Sequence, residues 1–152
     1  MRDGAPVSVM MFDLDRFKTI NDTHGHAVGD AVIRKFCEVT AAALRPTDLF
    51  GHIGGEEFAV VVAGPSIEAA LLRAERIRLA FAESCKWVGG CSVNATVSGG
   101  VSVSRDSRET FAMLLEQSDI ALYCAKGEGR NRVRPASHSP AKGDPHTVIR
   151  VA

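Results

Sequence analysis

Apolar and polar positions along this chain change period several times, and each change predicts an element. Val7 to Phe12 is an apolar run that ends in Asp13-Leu14-Asp15, which predicts a buried strand with carboxylates at its C-terminal end. Phe17 to Asp30 holds Asn21, Asp22, Gly25, His26 and Gly29, turn-forming types that predict a loop. From Asp30 to Leu44 the period becomes helical. Ile33, Phe36, Cys37, Thr40 and Leu44 form one stripe, Arg34, Lys35 and Glu38 face elsewhere, and Pro46 stops the helix. Leu49–Ile53 and Phe58–Val62 flank Gly54-Gly55-Glu56-Glu57, a pattern that predicts a hairpin with a tight glycine connection.

Beyond the hairpin, Ser66 is a candidate N-cap for a helix over Ile67–Ala82, with Ala70, Leu71, Ala74, Ile77 and Phe81 inward. Lys86–Cys91 reads as a small hairpin, and Val93–Val97 alternates as a half-buried strand. Gly99-Gly100 predicts a bulge or bend before Val101–Val103. A last helix spans about Arg108 to Lys126, with Phe111, Leu114, Leu115, Leu122 and Ala125 inward. Arg130–Val133 reads as an edge strand. The order predicts an α+β fold: a ferredoxin-like or palm arrangement, an antiparallel sheet with helices packed on it plus a small extra hairpin. Residues 1–136 make one domain and residues 137–152 a polar tail. In that arrangement the first strand and the central hairpin are neighbours, so Asp13 stands near Glu56.

Lys+Arg and Asp+Glu are equal at 18 each, so charge gives no sign of a nucleic-acid partner. No apolar run nears the roughly 20 residues of a membrane span and no signal peptide opens the chain, which predicts a cytoplasmic protein. Cys37 and Cys124 fall in apolar helical patterns and read as core. Cys85 and Cys91 flank a hairpin and are expected to stay reduced.

Carboxylates at strand ends beside a glycine turn suit a hard cation, and Mg²⁺ takes oxygen ligands while keeping positions for phosphate. Two such ions can clamp an in-line displacement at phosphorus. Lys18, Lys126 and Arg130 can neutralise phosphate, Arg130 bidentately. Asn21 and Asp30 supply an amide and a carboxylate, a pair that suits the edge of guanine.

Phe12-Asp13-Leu14-Asp15-Arg16-Phe17-Lys18-Thr19-Ile20-Asn21-Asp22, Gly25-His26 with Gly29-Asp30, Gly54-Gly55-Glu56-Glu57-Phe58, Ser118 to Lys126 and Gly129-Arg130-Asn131 together resemble the GGDEF domain of diguanylate cyclases, in its GGEEF form. The match runs from about Val7 to Val133. The resemblance implies condensation of two GTP into cyclic di-GMP with release of pyrophosphate, by an antiparallel homodimer using Mg²⁺, with Mn²⁺ as an alternative. By position, Asp13, the Leu14 carbonyl and Glu56 resemble the metal ligands, and Glu57 the acidic residue with a metal or base role. Asn21 and Asp30 resemble the guanine readers. Lys18, Lys126 and Arg130 resemble the phosphate contacts, while Phe17, Gly54 and Gly55 line the substrate pocket. Arg45 and Asp48 form an R-x-x-D placed as in the family's inhibitory product site.

Three departures accompany the match. His52 stands where the family usually has arginine, and Gly99 where it usually has an apolar residue. Only Met1–Pro6 precede the first strand, where the family has a helix. This implies a truncated domain whose sheet lacks a covering helix, without an upstream sensory domain and weakly active alone. The alternative function is a non-catalytic module binding GTP or cyclic di-GMP. A third reading, a palm-type cyclase using ATP, is tested by Asn21 and Asp30.

Overall fold

The computed structural model describes residues 5–64 and 66–137. Of the tail expected from 137 on, all but Ser137 lies outside the described residues. The chain runs β1 (Val7–Leu14), α1 (Phe17–His24), α2 (His26–Ala43), β2 (Leu49–Gly54), β3 (Glu57–Ala63), α3 (Ile67–Ser84), β4 (Trp87–Val88), β5 (Cys91–Ser92), β6 (Val97–Val103), α4 (Phe111–Gly127) and β7 (Val133–Pro135). Five strands form one sheet in the order β2-β3-β1-β6-β7, and β4-β5 is a separate hairpin. This is the expected palm-like α+β fold with its extra hairpin. One edge differs: β7 pairs parallel to β6, so the sheet is mixed rather than wholly antiparallel.

The core lies under α2 and α3. Phe36 of α2 meets Phe12 at 5.5 Å, Phe58 at 4.6 Å and Phe81 at 5.4 Å between ring centroids, so one ring ties β1, β3 and α3 together. Val60, Val62, Val97, Ala74 and Ile77 complete it. On the other face Met11, Ala59 and Leu122 bury beneath α4.

Several local expectations need correction. Phe17–His24 is a helix, not a loop, and α2 begins at His26 rather than Asp30. The break between them is Gly25, whose φ of 89° an L side chain rarely adopts. Gly99-Gly100 makes no bulge: β6 pairs with β1 without interruption from Val97 to Val103, and Val93–Thr96 is not strand. Gly100 serves packing instead, since a Cβ there would lie 2.0 Å from the Ser118 carbonyl oxygen of α4. The last helix starts at Phe111, with Thr110 capping it by accepting from the Met113 amide. Phe111 is half exposed rather than inward, and Cys124 is exposed rather than core. The edge strand starts at Val133 because Arg130 and Asn131 take left-handed backbone, φ 65° and 48°. Ser66 does cap α3, and all four cysteines are free. No helix among the described residues is long and apolar enough to cross a membrane.

Candidate functional site

β1 is the central strand, and its C-terminal end is where the polar residues gather. Asp13 pairs with Glu57 of β3 across the ladder, and the Leu14 amide donates to the Glu56 carbonyl at 3.1 Å. The β2–β3 turn thus places Glu56 and Glu57 beside Asp13, and Gly55 takes φ 55° to make that turn. Added Cβ atoms at Gly54 or Gly55 would meet nothing within 4 Å among the described residues, so the hairpin tip is uncrowded by them.

A cavity of about 190 Å³ lies at this end, lined by Asp13, Leu14, Asp15, Arg16, Phe17, Lys18, Glu56, Lys126 and Arg130. Seven of these nine are residues the sequence singled out for metal, substrate or phosphate. A larger, mostly apolar groove of about 990 Å³ lies at the opposite end of the sheet, between Pro6, Leu49, Val61 and Phe111. It contains none of the candidate residues, and volume alone does not make it the site of chemistry.

Asp13 is only 5% exposed, and among the described residues its side chain has one hydrogen-bonded partner, the Lys126 ammonium at 2.5 Å. Burial pushes its carboxyl up to about 6. Lys126 opposes the rise, while Glu56 and Glu57 add to it. Burial, more than the neighbouring glutamates, disfavours the ionised carboxylate, and a cation would relieve that cost. The oxygen donors present are the Asp13 and Glu56 carboxylates and the Leu14 carbonyl. They are hard ligands that fit Mg²⁺, which leaves its remaining positions to water or phosphate. No cluster of three His, Cys, Asp or Glu side chains at metal spacing occurs among the described residues, so protein alone gives a sparse set.

Asp15 is equally buried but saturated. Ser98 Oγ donates to it at 2.7 Å, Thr96 Oγ1 at 2.8 Å and the Asn131 amide at 3.0 Å. Asn21, on α1, has a buried Oδ1 with no hydrogen-bond partner among the described residues. It faces Gly29 of α2, where a Cβ would come within 1.8 Å of that oxygen, and Asp30 is the exposed next residue. Asn21 is thus packed on the first turn of α2, with the open Asp30 carboxylate beside it.

Arg45 and Asp48 lie outside this cavity. Asp48 accepts from the Arg45 amide at 2.8 Å and from Arg73 of α3 at 2.9 Å, while Arg45 itself is exposed. His52 bonds the Gly55 carbonyl at 2.7 Å and stacks on Phe58. The sequence carries Arg16, Gly29 and Asn131 within its motifs without showing what they do, and it does not point to Arg73 or Ser98. Gly29 followed by Asp30 was visible as a pair. Nothing in the local pattern marks Arg73 or Ser98, whose partners are 25 and 83 residues away.

A family model for the GGDEF domain of diguanylate cyclases matches residues 1–132. Diguanylate cyclase A of Treponema denticola is 41% identical over 127 residues, 84% of this chain and 34% of that protein. Response regulator PleD of Caulobacter vibrioides is 42% identical over 132 residues, 86% of this chain and 29% of that protein. The chain therefore spans about a third of the length of these relatives. Among solved structures, the active GGEEF domain of a diguanylate cyclase from Vibrio cholerae superposes with a TM-score of 0.80 at 34% identity, covering 88% of this chain and 85% of that one. The GGDEF domain of DgcB from Caulobacter crescentus, in complex with c-di-GMP, superposes with a TM-score of 0.78 at 32% identity, covering 88% and 79%.

Proposed function

Because the chain belongs to the GGDEF family of diguanylate cyclases, we propose that it condenses two GTP into cyclic di-GMP and two pyrophosphates. The observation that carries this reading is the convergence of Asp13, Leu14, Glu56, Lys18, Lys126 and Arg130 on one cavity. Asn21 and Asp30 bind the guanine edge, an assignment supported by the packing of Asn21 on Gly29, which brings its amide beside the exposed Asp30. Lys18, Lys126 and Arg130 hold the triphosphate and offset its charge. The Phe17 backbone and the glycines at the hairpin tip leave room for it. Asp13, the Leu14 carbonyl and Glu56 would hold Mg²⁺, or Mn²⁺, which when bound supplies a Lewis acid on phosphate oxygens.

Each protomer of an antiparallel homodimer presents one GTP. The 3′-hydroxyl of each attacks the α-phosphorus of the other. A new P–O3′ bond forms, the bond from the α-phosphorus to the bridging oxygen breaks, and pyrophosphate takes the electron pair. Glu57 accepts the hydroxyl proton. Two such transfers close the ring. Arg45, exposed on a turn fixed by Asp48, is the proposed product-inhibition contact, and DgcB supports a product-binding role in the family through its c-di-GMP complex.

Incubation with GTP and Mg²⁺ at high protein concentration, followed by nucleotide chromatography, tests the reading. Cyclic di-GMP is expected, and it should vanish in Glu56→Ala and Glu57→Ala. Tight GTP binding without cyclic product would leave a nucleotide-binding module instead. A turnover that does not rise with protein concentration would remove the dimer from the mechanism.

A further inference from the structure

Arg130 lines the cavity, yet its guanidinium makes no ion pair among the described residues. With no ion pair to hold it, the side chain takes its starting point and direction from the backbone at residue 130. That backbone is unusual: Arg130 and the following Asn131 are both left-handed, φ 65° and 48°. Two consecutive non-glycine residues in that region cost on the order of 1–2 kcal/mol each and persist only where the surroundings hold them.

The restraint comes from two sides. Just past the end of β1, Asp15 accepts the Asn131 N–H at 3.0 Å, and Ser98 Oγ of β6 shares the same donor at 3.1 Å. Asp15 is itself fixed by Ser98 and Thr96, so its two oxygens accept three hydrogen bonds. From α3, Arg78 donates to the Asn131 side-chain Oδ1 at 2.8 Å and to its carbonyl at 3.3 Å, while Glu75 holds Arg78 in place. The Arg130 amide closes the turn onto the Ala125 carbonyl at 3.0 Å. An acidic side chain two residues from Asp13 thus accepts one of its three hydrogen bonds from the turn that presents Arg130, and the other two hold it in place to do so.

We infer that Asp15 is a positioning residue for triphosphate recognition: through the Asn131 N–H it fixes the left-handed turn that aims Arg130 at the phosphates, and Arg78 completes the clamp. This rests on the GTP-binding reading above. A merely structural aspartate would affect every ligand alike. A residue acting through Arg130 affects only ligands that carry phosphate.

The test uses 3′-deoxyguanosine triphosphate, which lacks the attacking hydroxyl, and 3′-deoxyguanosine, which lacks phosphate, each titrated calorimetrically into the chain with Mg²⁺. Asp15→Asn is expected to weaken the triphosphate about tenfold and the nucleoside by less than about twofold, the scale of one lost charge-assisted hydrogen bond. Asp15→Asn combined with Arg130→Ala should bind the triphosphate no more weakly than Arg130→Ala alone, because both act on one contact. Should Asp15→Asn fail to fold, Arg78→Met loosens the same turn from α3 and is expected to cost about threefold on the triphosphate alone. Equal losses on both ligands, or additive losses in the double variant, overturn the inference. If the unaltered chain binds the triphosphate no better than the nucleoside, the GTP reading itself falls. If it binds better, and Arg130→Ala removes that gain while Asp15→Asn does not, only the positioning role falls.

Discussion

Asp13 and Asp15 stand two residues apart at the end of one strand and are equally buried, each 5% exposed. Their surroundings are opposite. Asp15 accepts three hydrogen bonds from uncharged donors. Asp13 has one lysine, two neighbouring glutamates and a carboxyl raised to about 6. The difference teaches how one fold makes a scaffold and a reactive centre from the same residue type. A buried carboxylate supplied with all its donors holds structure. One left short of them, and crowded by like charge, stores an affinity for a cation. Asn21, with its unpartnered oxygen, belongs with Asp13 in this division.

The largest test of that contrast removes Asp13 or Glu56. Asp13→Asn and Glu56→Ala are each expected to reduce cyclic di-GMP formation roughly a thousandfold, read by chromatography, because a charge-bearing ligand is lost where charge develops. The folded chain should not suffer in parallel. Metal-free Asp13→Asn should be more stable than the unaltered chain at pH 7 by about 1–2 kcal/mol, since it removes a carboxylate that burial disfavours, less what Lys126 loses. A melting temperature that fell with activity would make Asp13 a group that holds the fold together.

Next in size is Gly100→Ala. The added Cβ lies 2.0 Å from the Ser118 carbonyl and 2.4 Å from the Leu122 amide, both α4 backbone that must shift. A loss of about 3 kcal/mol in denaturant unfolding is expected. The same shift carries Lys126 away from Asp13, so it tests whether that ion pair depends on the closeness of α4 to β6. Gly29→Ala strikes the other unsatisfied group. Its Cβ falls on Asn21 Oδ1, and preference for GTP over ATP should drop about tenfold to a hundredfold in competition binding. Unchanged preference would take Asn21 out of base reading.

The strand–helix order, the glycine hairpin and the Asp13–Glu56 meeting were legible in the sequence because each is announced by local period or turn chemistry. The short α1 was not. Its Asn, Asp, Thr and His residues have weak helical preference, and the helix forms because Ile20 buries against the core. Gly99-Gly100 read as a bend because the sequence does not reveal that a helix presses on the strand from above. Asp15 has no assigned role in the sequence beyond standing at a strand end. Its donors come from residues 96, 98 and 131, and long-range satisfaction leaves no local mark. Resemblance to a known family supplied the roles of Leu14, Glu57 and Arg45, which spacing alone did not.

The titration of Asp13 gives a smaller effect. Its folded carboxyl titrates near 6 against 3.8 for the free side chain. The protonated form is the better-tolerated one, so this group's contribution to metal-free stability is fully present below about 3.8 and is lost as pH rises through about 6. Metal binding runs the other way, because the ligand must be ionised. Mg²⁺ affinity measured by calorimetry should be about tenfold weaker at pH 5 than at pH 7, one protonation below a value near 6. Asp15→Asn should leave that profile in place. A profile that flattened equally in both variants would erase the distinction between the two aspartates.

The smallest effect is expected at His52, which supports the tip that carries Glu56. Its Nε2 bonds the Gly55 carbonyl at 2.7 Å, and its ring stacks on Phe58 at 4.5 Å with 14° between planes. Both contacts are exposed to solvent on the histidine side, so His52→Ala should cost about 0.5–1 kcal/mol, a few degrees in melting temperature. Glu56 keeps its backbone anchor, since its carbonyl still accepts the Leu14 amide. Mg²⁺ affinity should therefore fall by no more than about twofold, against the near-complete loss in Glu56→Ala. A larger loss in His52→Ala would mean that the turn, rather than the β1–β3 ladder, holds Glu56 beside Asp13. The under-satisfied half of the site would then owe its geometry to a residue that stands on the surface.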